Sequence, residues 1–215
     1  MHEEIALRVL AELGHGGMGI VYKAQNNLLD NIVAVKVLPP GSHKESTLAR
    51  FKEEMKAIGK LDHNNIVRAT HAGEEEGILY LAMDFVEGVS LKDLVSANGR
   101  VEPDVACELI RQASLGLEHV RDHGLVHRDI KPANCLLDTN GIVKLLDMGL
   151  ARIIDDTASL TIDNNENVLG TADYLAPEQA LNSHKADARA DIYALGYSFY
   201  FCLTGHAPFS EGSVA

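Results

Sequence analysis

The chain has 215 residues, of which 46% are hydrophobic and 23% charged, and its formal net charge is −12. This length and composition are ordinary for a globular protein of one or two domains. The acidic balance argues against a nucleic-acid backbone as the main partner, because that binding needs a basic face. It does not exclude small phosphate-bearing ligands, since local groups can outweigh the overall field.

The cysteines and the N-terminus predict a cytoplasmic chain. Cys107, Cys135 and Cys202 are odd in number and form no C-x-x-C pair, which is typical of reduced thiols. The N-terminus, Met-His-Glu-Glu, is acidic where a signal peptide is basic. The longest nearly apolar run, 192–203, is too short to span a bilayer. We therefore expect no membrane segment in this chain, although a longer parent protein could be membrane-tethered.

The first part of the chain is predicted to be rich in strands. Residues 5–38 contain β-branched runs that are separated by a polar turn at 25–27, and Pro39 ends them. Residues 46–61 have helical periodicity, and the apolar run 78–86 predicts a buried strand.

The second part is predicted to be mainly helical. A helix begins near Pro103, which suits a first turn, and ends at Gly124. A short loop, a hairpin and a long polar segment, 152–170, follow, and an apolar helix spans about 187–203. The change from strands to helices falls near 84–88.

Gly14, Gly16 and Gly19 form a G-x-G-x-x-G pattern, which is weak evidence alone because a flexible turn would also explain it. A dinucleotide-binding fold needs a helix directly after the glycines, whereas Ile20-Val21-Tyr22 continues as a strand. A Walker P-loop is excluded because no Gly-Lys-Ser/Thr follows. There remains a glycine-rich turn between two strands, whose backbone N–H groups can close over phosphates.

Lys36 stands within an apolar strand, so its stem is predicted to be buried, and a buried ammonium needs a partner. On the 46–61 helix, at about 100° per residue, Glu54 falls on the apolar side and Glu53 on the opposite side. We expect Glu54 to point inward, within reach of a buried lysine, and Glu53 to be solvated. The alternative is an ordinary strand-edge lysine whose ammonium reaches water.

The segment 127–134, His-Arg-Asp-Ile-Lys-Pro-Ala-Asn, places a carboxylate, an ammonium and an amide within six residues. Asp129, Lys131 and Asn134 can together orient a hydroxyl, neutralise a phosphate and bind a metal. The alternative is an exposed turn without chemistry.

Asn140-Gly141 is a strong hairpin signal, and it predicts strands at 136–137 and 142–146. With the turn centred between these two residues, Asn134 and Asp147 would lie opposite each other. An amide oxygen and a carboxylate oxygen are ligands that suit Mg²⁺ also held by substrate phosphates.

These motifs, in this order, resemble the eukaryotic-like (Hanks-type) protein kinases, in particular the bacterial serine/threonine kinases. The resemblance runs from about Leu7 to Phe209. It implies an α+β, two-lobe protein-kinase-like fold. The N-lobe, 1–86, would be rich in strands, and the C-lobe, 87–215, mainly helical and incomplete at its C-terminus.

The resemblance also implies a reaction, the transfer of the γ-phosphate of ATP to Ser or Thr hydroxyls of protein substrates, with ATP and Mg²⁺ required. Asp129 would be the catalytic base, and Lys131 would stabilise the transferred phosphoryl group. Asn134 and Asp147 would hold Mg²⁺. Autophosphorylation is compatible with this reaction, and no nucleic-acid partner is implied.

The implied ATP contacts come from the glycine-rich turn, the strand of Lys36 with its partner glutamate, the gatekeeper Met83 and the hinge that follows it. These residues are Leu13, Gly14, His15, Gly16, Gly17, Met18, Gly19, Val21, Ala34, Lys36, Glu54, Met83, Asp84, Val86 and Asn134.

Three further residues have implied structural roles. Thr171 resembles the threonine that contacts the catalytic loop in Ser/Thr kinases, and it is counted with the catalytic residues. Glu178, in Ala-Pro-Glu, matches the end of the activation segment. Asp191 resembles the helix aspartate that pins the catalytic loop.

Arg128, directly before Asp129, suggests regulation by phosphorylation of the activation segment, because this arginine pairs with a phosphate in the resembled family. The candidate phosphosites are Thr157, Ser159 and Thr161. A polar loop with incidental hydroxyls explains these residues equally well.

The chain stops at Ala215, soon after the 187–203 helix, where the resembled family continues with further helices. We therefore expect a truncated C-lobe with an exposed apolar helix face, and a chain that is poorly soluble or weakly active. Two alternatives to an active kinase stay open. One is a nucleotide-binding pseudokinase that serves as a scaffold, and the other is an inactive fragment.

Overall fold

A computed structural model describes residues 7–16, 19–38, 45–148, 173–181 and 186–208. The chain divides into two compact units, Met1–Lys60 with Arg68–Val86, and Leu61–Val67 with Glu87–Ala215. The sequence assigned all of 1–86 to the first lobe, so the short segment Leu61–Val67 is grouped differently in the structure.

The first unit is built on an antiparallel five-stranded sheet with the strand order β1-β2-β3-β5-β4. Its elements are β1 (Leu7–Gly16), β2 (Gly19–Asn26), β3 (Asn31–Val37), α1 (Glu45–Ile58), β4 (Ala69–Glu75) and β5 (Ile78–Asp84). The strands predicted within 5–38 and 78–86 and the helix predicted at 46–61 are present.

The turn between β2 and β3 begins two residues later than the sequence predicted. Gln25 and Asn26 still belong to β2, and the turn covers 27–30. Asn26 Oδ1 accepts hydrogen bonds from the N–H groups of Leu28 and Leu29, at 3.0 and 3.1 Å. This side chain satisfies turn N–H groups that the ladder no longer pairs, which allows β2 to extend to Asn26.

One face of the sheet forms a hydrophobic core, in which Ala24, Val33, Val35 and Ala82 are buried together. Successive side chains of a strand point to opposite faces. The residues that alternate with Val33 and Val35 in β3 therefore lie on the other face. Lys36, one of the predicted ATP contacts, lies on that face.

The second unit contains, within its described residues, a three-stranded antiparallel sheet and four α-helices. The strands are β6 (Gly88–Ser90), β7 (Cys135–Asp138) and β8 (Val143–Leu145), in that order. The helices are α2 (Leu91–Asn98), α3 (Pro103–Asp122), α4 (Pro177–Leu181) and α5 (Ala188–Thr204), and a 3₁₀ turn covers Pro132–Asn134. The helices predicted at 103–124 and 187–203 are confirmed as α3 and α5.

Helix ends fall where the sequence supplies capping groups. Ser90 Oγ accepts a hydrogen bond from the Asp93 N–H at the start of α2. Pro103 opens α3. After α5, Gly205 has φ +85°, and a Cβ there would lie 2.2 Å from Gly99 O, so only glycine fits.

The β7–β8 hairpin has a different register from the predicted one. The prediction centred the turn between Asn140 and Gly141 and placed Asn134 opposite Asp147, and it is wrong. Asn134 lies opposite Leu146, whose N–H donates to Asn134 O at 2.9 Å. The cause is a three-residue loop, 139–141, in which Gly141 takes the left-handed conformation, in place of a two-residue turn.

The core of the second unit lies between α3 and α5, which pack against each other. Both helices contribute buried small and aliphatic side chains: Ala106, Leu109, Ala113, Leu117 and Val120 from α3, and Ala194, Leu195 and Cys202 from α5. Within the described ranges, no helix has both the length and the apolar character needed to cross a membrane.

Candidate active site

The glycine-rich turn connects β1 to β2, and Gly16 pairs with Gly19. Gly19 has φ +113°, and a Cβ added there would lie 2.1 Å from Val37 O, so this position requires glycine. At Gly14, by contrast, no atom lies within 4 Å of an added Cβ. Two predicted residues of the turn lie outside the described residues: Gly17 and Met18.

Lys36 lies on the face of the first unit's sheet that is opposite its core, and it is only 2% exposed. Its register partners, Val21 on β2 and Leu81 on β5, share this face. Ala34, two residues earlier, pairs with Met83, so both also lie there. The sheet thus brings four predicted ATP contacts, from three strands, to one surface.

Two neighbouring glutamates on α1 differ in exposure. Glu53 is exposed, and its Oε1 lies 2.7 Å from Lys56 Nζ. The hydrogen bond and charge of Lys56 lower the pKa of the Glu53 carboxyl. Glu54 is half-buried, and its Oε2 is shielded from solvent. This difference agrees with the predicted orientations, while the pairing of Glu54 with Lys36 stays a prediction.

The other predicted ATP contacts of the first unit are more exposed. Asp84, the last residue of β5, donates its N–H to Arg68 O at 3.0 Å. Val86 is half-buried, and Leu13 and His15 are exposed on β1.

In the second unit, Asp191 from α5 holds the segment that contains the predicted base. Its carboxylate accepts hydrogen bonds from the N–H groups of His127, at 2.8 Å, and Arg128, at 2.7 Å. His127 is fully buried, and its Nδ1 accepts a longer hydrogen bond, 3.4 Å, from the Asp129 N–H. Burial raises the pKa of the Asp191 carboxyl, and His127, the two N–H donors and Arg128 oppose this effect.

Asp129, Lys131 and Asn134 converge as the sequence predicted. Lys131 Nζ lies 3.0 Å from the Asp129 carboxylate. Asn134 Nδ2 donates to the Asp129 backbone oxygen at 2.7 Å and to its Oδ2 at 2.8 Å. The Asp129 and Asn134 side chains are buried, and Lys131 is partly exposed. A buried carboxylate is therefore held by an amide and an ammonium.

Asp147 follows the last residue of β8 by two positions, and it is half-buried with φ +60°. Because the Asn134 nitrogen is engaged on Asp129, a cation would bind Asn134 through Oδ1. The described part of the chain has no cluster of three or more His, Cys, Asp or Glu side chains placed to hold a metal ion. An amide and a carboxylate oxygen therefore fit Mg²⁺ only if substrate phosphates supply further oxygens, as is usual for this ion.

The predicted activation-segment residues are only partly described. Glu178 is exposed in α4. Four others lie outside the described residues: Thr157, Ser159, Thr161 and Thr171.

A family model described as protein kinase domain matches residues 7–215. The chain belongs to the protein kinase domain family. It is 39% identical over 207 residues to serine/threonine-protein kinase PrkC of Bacillus subtilis (strain 168), covering 96% of this chain and 31% of the relative. It is 40% identical over 202 residues to serine/threonine-protein kinase PknB of Mycolicibacterium smegmatis, with coverages of 92% and 32%. The chain thus spans about a third of the length of these curated relatives.

Solved kinase structures are also similar. The PknI kinase domain of Mycobacterium tuberculosis matches with a TM-score of 0.77 at 27% identity, covering 99% of this chain and 80% of that chain. Rad53 1-466 in complex with AMP-PNP matches with a TM-score of 0.77 at 31% identity, with coverages of 97% and 51%. The predicted kinase-like fold and the resemblance to bacterial serine/threonine kinases are confirmed.

One contact of this kinase domain was not predicted. Gln179, directly after Glu178, donates from Nε2 to Arg128 O at 2.6 Å. Arg128 is thereby fixed through its N–H by Asp191 and through its carbonyl by α4. Its neighbour Glu178 was singled out by a motif, but no pattern in the sequence links position 179 to a loop 51 residues earlier.

Proposed function

We propose that this chain is the catalytic domain of a serine/threonine protein kinase that transfers the γ-phosphate of ATP to Ser and Thr hydroxyls of proteins. The observation that carries the proposal is the Asp129 carboxylate, which is 6% exposed and held by both Asn134 and Lys131. The names of the relatives support the serine/threonine class. A structural neighbour in complex with AMP-PNP supports adenine-nucleotide binding.

In the proposed reaction, the substrate hydroxyl oxygen attacks the γ-phosphorus while Asp129 accepts the hydroxyl proton. The bond from the γ-phosphorus to the bridging oxygen breaks, and ADP leaves with the electron pair. Asn134 fixes the orientation of the Asp129 carboxylate through the 2.8 Å hydrogen bond to Oδ2. Lys131 Nζ lies 3.0 Å from that carboxylate, and it would neutralise charge on the transferred phosphoryl group.

Asn134 and Asp147 would hold Mg²⁺, which when bound would neutralise phosphate charge on the nucleotide. The chain would contribute one amide oxygen and one carboxylate to this site, from residues that precede β7 and follow β8. Of these two groups only Asp147 carries a charge, so most of the affinity for Mg²⁺ would come from the phosphates of the nucleotide.

The first unit would bind the rest of ATP. Lys36 would contact the α- and β-phosphates, with Glu54 as its partner, under the backbone N–H groups of the glycine-rich turn. Val21 and Ala34 present apolar surface on the face of Lys36. The Asp84 N–H is engaged with Arg68 O, so Asp84 would meet adenine through its carbonyl, and Val86 through its backbone.

Regulation and substrate contacts complete the proposal. Arg128 would pair with a phosphate on the activation segment, for which Thr157, Ser159 and Thr161 are the candidate sites and autophosphorylation the candidate source. Thr171 would contact the catalytic loop. Peptide mapping after incubation with ATP should find phosphate within 157–171, and a fully active enzyme without phosphate there would refute this regulation.

Transfer of labelled phosphate from ATP–Mg²⁺ to a generic protein substrate tests the function. We expect transfer by the unsubstituted chain, loss of transfer in Asp129→Asn, and retention in Asp122→Asn, which changes an exposed aspartate. Absence of transfer together with thermal stabilisation by ATP–Mg²⁺ would instead identify a nucleotide-binding scaffold. A non-cooperative melt would identify an inactive fragment.

A further inference from the structure

β8 lies at the edge of the three-stranded sheet, so its outward backbone groups, those of Val143 and Leu145, have no neighbouring strand of that sheet. Leu145 instead bonds to the backbone of the segment Leu61–Val67. Its N–H donates to Asn65 O at 2.9 Å, and its carbonyl accepts from the Val67 N–H at 3.0 Å. The edge is therefore closed at Leu145 by a segment that lies far from β8 in the chain.

The outward backbone N–H and carbonyl of Val143 are hydrogen-bonded to two side-chain amides. Gln112 Oε1, from α3, accepts the Val143 N–H at 2.9 Å. Asn65 Nδ2 donates to the Val143 carbonyl at 2.9 Å and to Gln112 Oε1 at 3.3 Å. Together the two amides present the donor and acceptor that a neighbouring strand would otherwise supply at this position.

Both amides are buried, with Asn65 5% and Gln112 8% exposed. Gln112 Nε2 also donates to Gly141 O at 3.2 Å, which ties the hairpin loop to α3. The close approach of α3 to the backbone of Asn65 needs Gly116, where an added Cβ would lie 2.9 Å from Asn65 O. Removal of either amide would leave buried backbone groups without partners, which is costly.

The strand that these amides hold leads directly to Asp147. Leu146 links the end of β8 to Asn134 by a 2.9 Å backbone hydrogen bond. Asp147 itself has φ +60°, a left-handed conformation that is uncommon in residues other than glycine and that persists when the surrounding structure holds it. A β8 edge that is free to shift would relax this conformation and displace the carboxylate.

We propose that Asn65 and Gln112 are positioning residues for phosphoryl transfer, because they fix the β8 edge and thereby the carboxylate of Asp147. The proposal rests on the proposed function, in which Asp147 holds Mg²⁺. Neither residue touches the substrate. Their effect is on how well the chain binds the cation that accompanies the nucleotide.

The test uses the whole chain with Gln112→Leu, which keeps the side-chain volume but removes both the oxygen and the nitrogen of the Gln112 amide. Leu109→Ala is the matched control, because it removes buried apolar volume one turn earlier in α3 without removing a hydrogen-bonding group. Two quantities are measured well below the unfolding temperature. One is amide hydrogen exchange at Val143 and at Leu145. The other is the Mg²⁺ concentration that half-saturates binding of a fluorescent ATP analogue.

In Gln112→Leu we expect faster exchange at Val143 and a half-saturating Mg²⁺ concentration raised about tenfold, the usual effect of removing a group that orients a metal ligand. Binding of the analogue in EDTA should be unchanged, since it does not use Asp147. Leu109→Ala should lower stability and leave the Mg²⁺ dependence unaltered. Asn65→Ala should reproduce the effect of Gln112→Leu.

An unaltered Mg²⁺ dependence in Gln112→Leu, or an equal shift in Leu109→Ala, would show a merely structural role and overturn the proposal. If the unsubstituted chain binds the analogue equally well with and without Mg²⁺, the cation role of Asp147 fails, and the positioning role fails with it. Exchange at Val143 separates these failures, because it reports the hold on β8 whether or not a cation binds.

Discussion

Asp191 accepts a 2.7 Å hydrogen bond from the backbone N–H of Arg128, which lies 63 positions earlier in the chain. Its other carboxylate oxygen accepts the N–H of His127. Arg128 has φ +67°, a conformation that is costly for a residue with a side chain. The anchor on α5 therefore stabilises the backbone turn that places Asp129 next to Lys131 and Asn134.

Asp191→Asn should destabilise the fold and reduce phosphate transfer. The amide keeps one acceptor but sets an N–H₂ group against a buried backbone N–H, at a cost of about 1–3 kcal/mol in the free energy of unfolding. Urea unfolding measures this loss. Asp187→Asn is the control. The Asp187 side chain caps the start of α5, a role that Asn fills equally well, and its ion pair with Arg189 is exposed. Equal losses in the two variants would contradict a special role for Asp191.

Asn134→Asp should reduce phosphate transfer about 100-fold, the upper range for losing a group that orients a reactive carboxylate or metal ligand. The substitution would place a second carboxylate where Nδ2 now lies 2.8 Å from Asp129 Oδ2, so attraction becomes repulsion. The measurement is kcat at saturating ATP and Mg²⁺. Asn64→Asp, at an exposed position where Oδ1 faces Lys144 Nζ, should leave kcat unchanged. Full activity of Asn134→Asp would refute the orienting role.

Gly19→Ala should cost about 2 kcal/mol or more of unfolding free energy, because φ is +113° and the new Cβ would lie 2.1 Å from Val37 O. Gly14→Ala, in the same turn motif, should be nearly neutral for stability, because nothing lies within 4 Å of its Cβ. Thermal and urea unfolding compare the two. Similar stabilities for both variants would contradict the difference in local packing.

The sequence predicted those features that are encoded by nearby residues. The apolar spacing of α1, the boundary residues Pro103 and Gly124 of α3 and the apolar run of α5 are all local signals, so the positions of these helices could be predicted to within a few residues. The exposure difference between Glu53 and Glu54 follows from the same periodicity. Asp129, Lys131 and Asn134 lie within six residues, so their proximity could be predicted from the sequence alone.

What the sequence could not predict depends on turn geometry and on distant contacts. Asn140-Gly141 is compatible with both a two-residue and a three-residue loop, and the longer loop moved Asn134 from Asp147 to Leu146. The bond from Gln179 to Arg128 has no local signal. Gln112 does have a local signal, because a polar residue on the apolar face of α3 must find hydrogen-bond partners. The sequence cannot say that these partners lie in β8.

Thiol reactivity should separate one cysteine from the other two. Cys107 is exposed, whereas burial raises the pKa of the Cys135 thiol to about 12 and that of Cys202 to about 11. At pH 8 the buried thiols are therefore almost fully protonated. They react slowly, because the thiolate is the reactive form. With DTNB, one thiol should react rapidly in the native protein and three in denaturant, and Cys107→Ser should remove the rapid phase. Rapid reaction of two thiols in the native protein would contradict the burial of Cys135 and Cys202.

The stability of the second unit should fall in mild acid because of His63. Its ring stacks on His119 with centroids 5.1 Å apart, and its Nδ1 accepts the Asn65 N–H at 3.1 Å, which requires that nitrogen to be unprotonated. Burial lowers the pKa of His63, and the charges of His119 and Lys144 add to the effect.

A folded-state pKa below the ordinary value of about 6.5 means that the contribution of His63 to stability is complete above that pH. This contribution is lost as the pH falls through the lowered value. The unfolding free energy from urea titrations should therefore decrease from pH 7.5 to 5.5, and His63→Gln should flatten this dependence. His206→Gln, at an exposed position, should not. If His63→Gln keeps the slope of the unsubstituted chain, the acid sensitivity belongs to another group.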